Sequence, residues 1–282
     1  MTAMNINEHA STAQQLDSTA LHVKDVSVGY GERTVLDTLN VDIKRGAITS
    51  IVGPNGCGKS TLLRTMSRLL NPTKGEIVLD GKSIHDIPTR KLATQLGLLP
   101  QTPIAPDGIV VADLVGRGRT PHQGILGRWS QQDYDIVAEA LETTGISDLA
   151  ERSIDELSGG QRQRVWIAMA LAQRTETLLL DEPTTYLDVK HQLDVLDLLT
   201  ELNRDRGTTI VMVLHDLNLA ARYSDELVAV SGGKVFAHGH PREVITKENV
   251  KSVFGIDSVI ITDPVSDQPA VMPIGRHHLR NK

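Results

Sequence analysis

Residues 47–70 run Ala47-Ile48-Thr49-Ser50-Ile51-Val52, then Gly53-Pro54-Asn55-Gly56-Cys57-Gly58-Lys59-Ser60, then a helical pattern from Thr61 to Leu70. The first six residues are largely apolar and β-branched, and they predict a short buried strand. The helical pattern stops before Asn71-Pro72, because the residue ahead of a proline avoids helical backbone. Between strand and helix lies G-x-x-x-x-G-K-[ST]. Its glycines let backbone N–H groups turn inward around phosphate oxygens. The helix that follows points its positive end at the same anion. Lys59 adds a charge that reaches β- and γ-phosphates, and the Ser60 hydroxyl is suited to ligate Mg²⁺. A chance glycine turn needs neither the strand before it nor the helix after it, and both are present.

Downstream, 122 residues from Lys59, a second apolar strand Leu178-Leu179-Leu180 ends in Asp181 and Glu182, followed by Pro183. Two acids at a strand end are often only solvated loop residues. Beside a phosphate loop they read differently. The carboxyl end of a strand is where ligands bind in open α/β sheets. Asp181 is then placed to coordinate Mg²⁺, and Glu182 to orient and deprotonate an attacking water. Between these motifs, Leu157-Ser158-Gly159-Gly160-Gln161 precedes a helical pattern from Arg162 to Gln173. A Ser-Gly-Gly helix start offers backbone N–H groups and a hydroxyl to a second anion, although by itself it is only a capped helix.

Around these motifs the chain alternates strand and helix. Leu21-His22-Val23 and Val35-Leu36 through Val41-Asp42-Ile43 predict antiparallel strands, with turns at Gly29, Gly31 and Gly46. Helical patterns dominate from about 83 to 165, as in Asp133 to Thr144 with Ile136, Val137, Ala140 and Leu141 on one face. The part around 101–130 reads as loop-rich. A helix over about 189–204 and a buried strand Thr209–Leu214 follow. Strands alternating with helices imply a parallel sheet covered on both faces. Residues 1–20 are polar and aperiodic and predict a disordered extension.

Bulk composition narrows the function classes. The chain has 282 residues, 40% apolar and 23% charged, the balance of a soluble globular protein. Aromatic residues are only 3% and net charge is −6, without a basic block, so a nucleic-acid partner is not expected. No apolar run approaches the roughly 18 residues that would cross a bilayer, and no charged-then-apolar leader pattern opens the chain. The single cysteine, Cys57, fits a reducing cytoplasm. Its place at a helix N-terminus predicts a lowered thiol pKa. His277-His278 lacks further ligand spacing, so no metal site is expected there.

The ordered set GPNGCGKS, Gln101, LSGGQ, LLLDEP, Tyr186-Leu187-Asp188 and His215 resembles the ATP-binding cassette (ABC) family, over about residues 21–240. The resemblance implies an α/β fold: a P-loop NTPase core with a parallel sheet, an N-terminal antiparallel β-subdomain and an α-helical insertion at about 101–165. Residues 241–282 form a C-terminal extension. It implies ATP hydrolysis with Mg²⁺ by a head-to-tail pair of copies. The phosphate loop, Gly53 to Thr61, holds ATP, and Ser158, Gly159, Gly160 and Gln161 close over it from the other copy. It also implies that Tyr30 stacks on adenine and that Gln101 touches the metal and the catalytic water. Asp188 communicates between copies, and His215 is the switch residue contacting γ-phosphate. Thr185-Tyr186 stands where many relatives carry a small pair.

Gly118-Arg119-Thr120-Pro121-His122, the segment His215 to Tyr223, and the tail with Asp263-Pro264 and Gln268-Pro269 resemble ATPases of ferric-siderophore, haem and cobalamin importers. Siderophore uptake is the expectation, with haem or cobalamin as the alternative. The implied partners are integral-membrane permease subunits and, indirectly, an extracytoplasmic solute-binding protein. The implied location is the cytoplasmic face of the cell membrane. DNA-repair cassettes insert a long coiled coil that 122 residues cannot hold, and ribosome-acting members usually carry two cassettes.

Overall fold

The computed structural model describes residues 18–124, 127–185 and 187–278; most of the expected N-terminal extension lies outside them. The chain forms two compact units, Met1–Asp86 with Val211–Lys282, and Ile87–Ile210.

The first unit opens with β1 (Thr19–Tyr30) and β2 (Arg33–Lys44), paired antiparallel as the alternation predicts. Gly29 was expected in a turn but lies inside β1, opposite Thr34. A Cβ there would stand 2.1 Å from the Arg33 carbonyl oxygen, so the glycine serves close strand approach. Strand β3 (Ile48–Val52) is buried at every position. Helix α1 (Lys59–Met66) starts two residues earlier than its apolar pattern and ends four earlier. The early stop comes from Arg68, whose φ of 61° is left-handed. Leu69 N–H reaches Arg64 O and Arg68 N–H reaches Thr65 O, a closure that usually announces itself with glycine. Strands β4 (Lys74–Leu79) and β5 (Lys82–Ser83) complete a sheet ordered β2-β1-β4-β5.

The second unit holds α2 (Thr89–Gln95), β6 (Leu96–Leu99), α3 (Val111–Gly116), α4 (Gln131–Thr143), α5 (Gly159–Ala172), β7 (Thr177–Asp181) and α6 (Val189–Arg206). Strand β6 falls where helices were expected to dominate, and it pairs parallel with β7 from Leu96↔Thr177 to Leu99↔Leu180. The stretch expected to be loop-rich contains α3 and a 3₁₀ helix, Arg117–His122. Helix α4 buries Ile136, Val137, Ala140 and Leu141 as its periodicity predicts, behind a capping box of Ser130 and Asp133.

The Gly118–His122 segment grips the carboxyl end of α5. Arg119 is buried, donating from Nε to Asp133 Oδ1 at 2.9 Å and from a terminal nitrogen to Ala172 O at 2.8 Å. His122 Nε2 sits 2.7 Å from Gln173 O. The Arg119 guanidinium and the His122 ring meet the orphan carbonyls where a helix is negative. Asp133 is held down to about 2, first by the Ser130 N–H and hydroxyl and then by Arg119.

Strand β8 (Thr209–Val213) is buried throughout and neighbours β3, with Leu214 N–H donating to Ile51 O at 3.2 Å. Back in the first unit follow α7 (Leu217–Tyr223), β9 (Glu226–Ser231) and β10 (Lys234–Gly239). Strand β9 runs parallel to β3 and antiparallel to β10, so the sheet is mixed. Ser50 and Ser224 hydroxyls pair at 2.6 Å, which satisfies two polar groups in a buried place. The chain continues with α8 (Pro241–Val244), α9 (Lys247–Phe254) and an antiparallel hairpin of β11 (Ser258–Thr262) and β12 (Pro269–Pro273).

Removing one member of a buried ion pair costs up to about 3–5 kcal/mol, and the Ser130 donors that remain on Asp133 soften the loss of Arg119. Arg119→Ala should lower the urea midpoint accordingly, while Arg119→Met combined with Asp133→Asn, which keeps an acceptor for the Ser130 N–H, should recover part of the loss. Equal midpoints for wild type and Arg119→Ala would show the pair to be energetically idle.

Candidate phosphate-binding and hydrolytic groups

Each unit presents its own set of groups. In the first unit the turn after β3 begins with Gly53, whose φ is 153°. A Cβ at Gly53 would lie 2.2 Å from Val230 O, so only glycine lets the chain leave the sheet there. The loop then delivers Gly58 and Lys59 to the start of α1, which places backbone N–H groups and the positive helix end together. Lys59 is buried, and its Nζ donates to Gly53 O at 2.9 Å and Pro54 O at 3.0 Å. The ammonium is thereby held against its own loop, which limits the further ordering that any anion bound there would require. Ser60 and Thr61 occupy the first turn of α1.

Cys57 departs from expectation. The loop folds it inward, with its Sγ 2.9 Å from where a Gly53 Cβ would be. Burial pushes the thiol up, and the nearby Lys59 charge and backbone N–H groups only partly offset this. Proximity to a helix N-terminus does not outweigh the lost hydration of a thiolate.

Tyr30 ends β1 and is 50% exposed, as a stacking surface requires. His215 follows β8 and is exposed. Asp216 next to it caps α7, accepting from Asn218 N–H at 2.8 Å and Leu219 N–H at 2.9 Å. The capping of α7 is thus done by the aspartate and not by the histidine.

In the second unit Asp181 closes β7 and is buried. Glu182 has a left-handed backbone, φ 55°, which is uncommon for a non-glycine residue and clusters at functional sites. Two donors converge on its Oε2: Gln101 Nε2 at 2.8 Å and Thr185 Oγ1 at 3.0 Å. Gln101 and Glu182, predicted separately, are thus brought together. Thr185 was noted only as a departure from relatives, although a hydroxyl three residues after an acid can bend back to it.

Ser158 caps α5 in a reciprocal box: its N–H donates to Gln161 Oε1 at 3.0 Å and its Oγ accepts from Gln161 N–H at 3.3 Å. The hydroxyl hydrogen is not consumed by that bond and can go to an anion. Among the described residues nothing lies within 4 Å of a Cβ built on Gly159, and at Gly160 only Leu187 approaches, at 3.5 Å. Neither glycine has a positive φ. The helix start is therefore open without any need of its own fold. Asp188 caps α6, accepting from His191 N–H at 2.9 Å and lying 2.7 Å from its Nδ1, and these bonds lower its carboxyl. Tyr186 lies outside the described residues.

No three His, Cys, Asp or Glu residues gather into an all-protein metal cage among the described residues. The Ser60 hydroxyl in the first unit and the buried Asp181 carboxylate in the second are each an oxygen donor of the kind a hard cation takes.

Residues 36–185 match the family described as ABC transporter. The achromobactin transport ATP-binding protein CbrD of Dickeya dadantii is 52% identical over 258 residues, covering 92% of this chain and 96% of that protein. The ferric enterobactin transport ATP-binding protein FepC of Escherichia coli is 50% identical, covering 91% and 94%. A dimeric post-hydrolysis structure of the ATP-binding cassette MJ0796 with ADP and Pi is 31% identical, with a TM-score of 0.70 over 78% of this chain and 98% of that one.

The buried, raised Cys57 thiol should react with a thiol reagent at pH 7 at least about tenfold more slowly than free cysteine. The rate should climb as pH passes the ordinary thiol range. Rapid labelling at pH 7 would place the sulfur outside the loop.

Proposed function

This chain belongs to the ABC transporter family, and from that premise we propose that it is the ATP-hydrolysing subunit of an importer for iron–siderophore complexes. The family cassette binds ATP and hydrolyses it. Two copies work head to tail at the cytoplasmic face of the membrane, joined to permease subunits that receive the complex from an extracytoplasmic binding protein. Residues 21–240 carry the nucleotide chemistry and residues 241–282 an extension. What supports the substrate is agreement among the relatives, named for achromobactin and ferric enterobactin, each aligned over more than nine-tenths of this chain.

In each site the backbone of Gly53 to Thr61 wraps the phosphates, with Lys59 on the β- and γ-oxygens and Tyr30 against adenine. Ser60, Asp181 and Gln101 would hold Mg²⁺, which would supply neutralisation of phosphate charge. Glu182 takes the proton of the attacking water, and His215 holds the γ-phosphate oxygens. Ser158 to Gln161 close over the nucleotide of the second copy, with Asp188 beside them. ATP thus favours the closed pair because only that state completes its contacts, and hydrolysis releases it.

The observation that carries the paired arrangement is the open Gly159-Gly160 helix start. Two glycines at no strained angle weaken a helix, and this one gains nothing inside its own chain. Close approach of a phosphate from a second copy gives them a reason.

Gly159→Ala should stabilise the fold by about 0.4–1 kcal/mol and yet depress ATPase activity strongly. A urea titration beside a phosphate-release assay reads both; unchanged hydrolysis would refute the trans contact. Glu182→Gln should abolish turnover and leave a long-lived ATP-bound dimer on gel filtration. Lys59→Ala should instead lose ATP binding, and full retention of it would contradict the role given to Lys59.

A further inference from the structure

The C-terminal hairpin has no part in the mechanism above, yet it is tied to the short helix that follows His215. Asn218 makes a two-point bond to one backbone unit of β12: its Oδ1 accepts from Val271 N–H at 2.7 Å and its Nδ2 donates to Val271 O at 3.3 Å. One helical turn further on, Arg222 donates from Nε and a terminal nitrogen to Asp263 Oδ2, at 3.0 and 2.7 Å. Asp263 is itself locked, its Oδ1 accepting from Val265 N–H at 3.0 Å and its Oδ2 from the Ser266 hydroxyl at 2.7 Å. Val271 and Asp263 are both buried. The two segments that sequence reading had singled out separately, HDLNLAARY and the tail around Asp263, are therefore each other's partners.

The chain of ties reaches His215 in three steps. Val271 holds the Asn218 side chain. The Asn218 N–H donates to Asp216 Oδ1. Asp216 adjoins His215. Helix α7 has only seven residues, too short to hold its own direction by backbone bonds alone. Its orientation, and with it the exit angle of the chain after β8, depends on what it leans on.

We propose that the C-terminal hairpin is a brace for the switch histidine, and that Asn218 is the positioning residue that transmits it. The brace sets where the His215 imidazole stands when ATP is bound. The side chains of Asn218 and Arg222 are spent on the hairpin, and they act through α7. The Asp263 carboxyl, kept near 2 by Ser266, Val265 N–H and Arg222, stays ionised at any physiological pH, so the tie is permanent rather than a pH switch.

The proposal rests on the reading of His215 as a catalytic residue, and the test separates the two. In the full-length protein, Asn218→Ala should lower kcat for ATP hydrolysis about tenfold with KM for ATP changed less than about twofold. Arg222→Gln, one turn further from His215, should lower it less. In a His215→Ala background, whose residual rate is followed by prolonged phosphate release, Asn218→Ala should change nothing more. An Asn218→Ala loss that repeats in full in that background, or a kcat unaffected by Asn218→Ala, overturns the brace and leaves the His215 role standing. Wild-type turnover in His215→Ala overturns both. Should Asn218→Ala melt early, Asn218→Asp keeps the acceptor for Val271 N–H, and an intermediate kcat is expected from it. Wild-type kcat in that variant would equally sink the brace.

Discussion

Gly53 leaves β3 where the Val230 carbonyl of the neighbouring strand stands 2.2 Å from the point a Cβ would occupy. That steric fact comes before the chemistry of the loop. Any side chain would force β3 and β9 apart, and β3 is buried at all five positions. Because the chain turns at once, α1 begins six residues later, and Lys59 lies back over the carbonyls of Gly53 and Pro54. The turn and its lysine are fixed by contacts within the loop itself, and dipoles preset in this way stabilise charge best. The same tight folding buries Cys57 and cancels the activation its position suggested.

The second unit solves a different problem, that of aiming a single carboxylate. Glu182 sits in a left-handed backbone that most residues avoid, and side chains from two separate segments reach the same oxygen. Backbone strain of this kind persists only where the surroundings over-determine it. Here β7 on one side and the Gln101 and Thr185 bonds on the other supply that constraint. A carboxylate aimed in this way is held in one direction before anything binds to it; under the proposed function that direction is toward the attacking water.

Much of this was legible from residue order. The buried strand, the glycine loop and the helix after it carry strong local signals, and Asp181, Glu182 and Ser158 stand at element ends where periodicity breaks. What stayed hidden shares one cause: the decisive partner is remote in sequence or the signal residue is missing. Helix α1 ends at Met66, turned off by the left-handed Arg68, without a glycine to mark it. Strand β6 is four residues among helical patterns, and only its pairing with β7 makes it a strand. Gly29 looks like a turn residue because nothing local reveals Arg33 pressing on it. Thr185 differs from a solvated hydroxyl only through the side chain that bends to it.

The Gly118–His122 segment reads in sequence as a portable badge of one transporter subgroup, but its arginine is turned inward. Arg119 is spent on Asp133 and on Ala172 O, and His122 on Gln173 O. Two of those three partners are main-chain atoms that no substitution can supply, and the third is an aspartate fourteen residues away. Transplanting the five residues into a cassette without an acid at the place of Asp133 would therefore bring a cation into an interior that has no anion waiting for it. The transferable object is the whole joint: the pentapeptide, the acid of α4 and the last turn of α5.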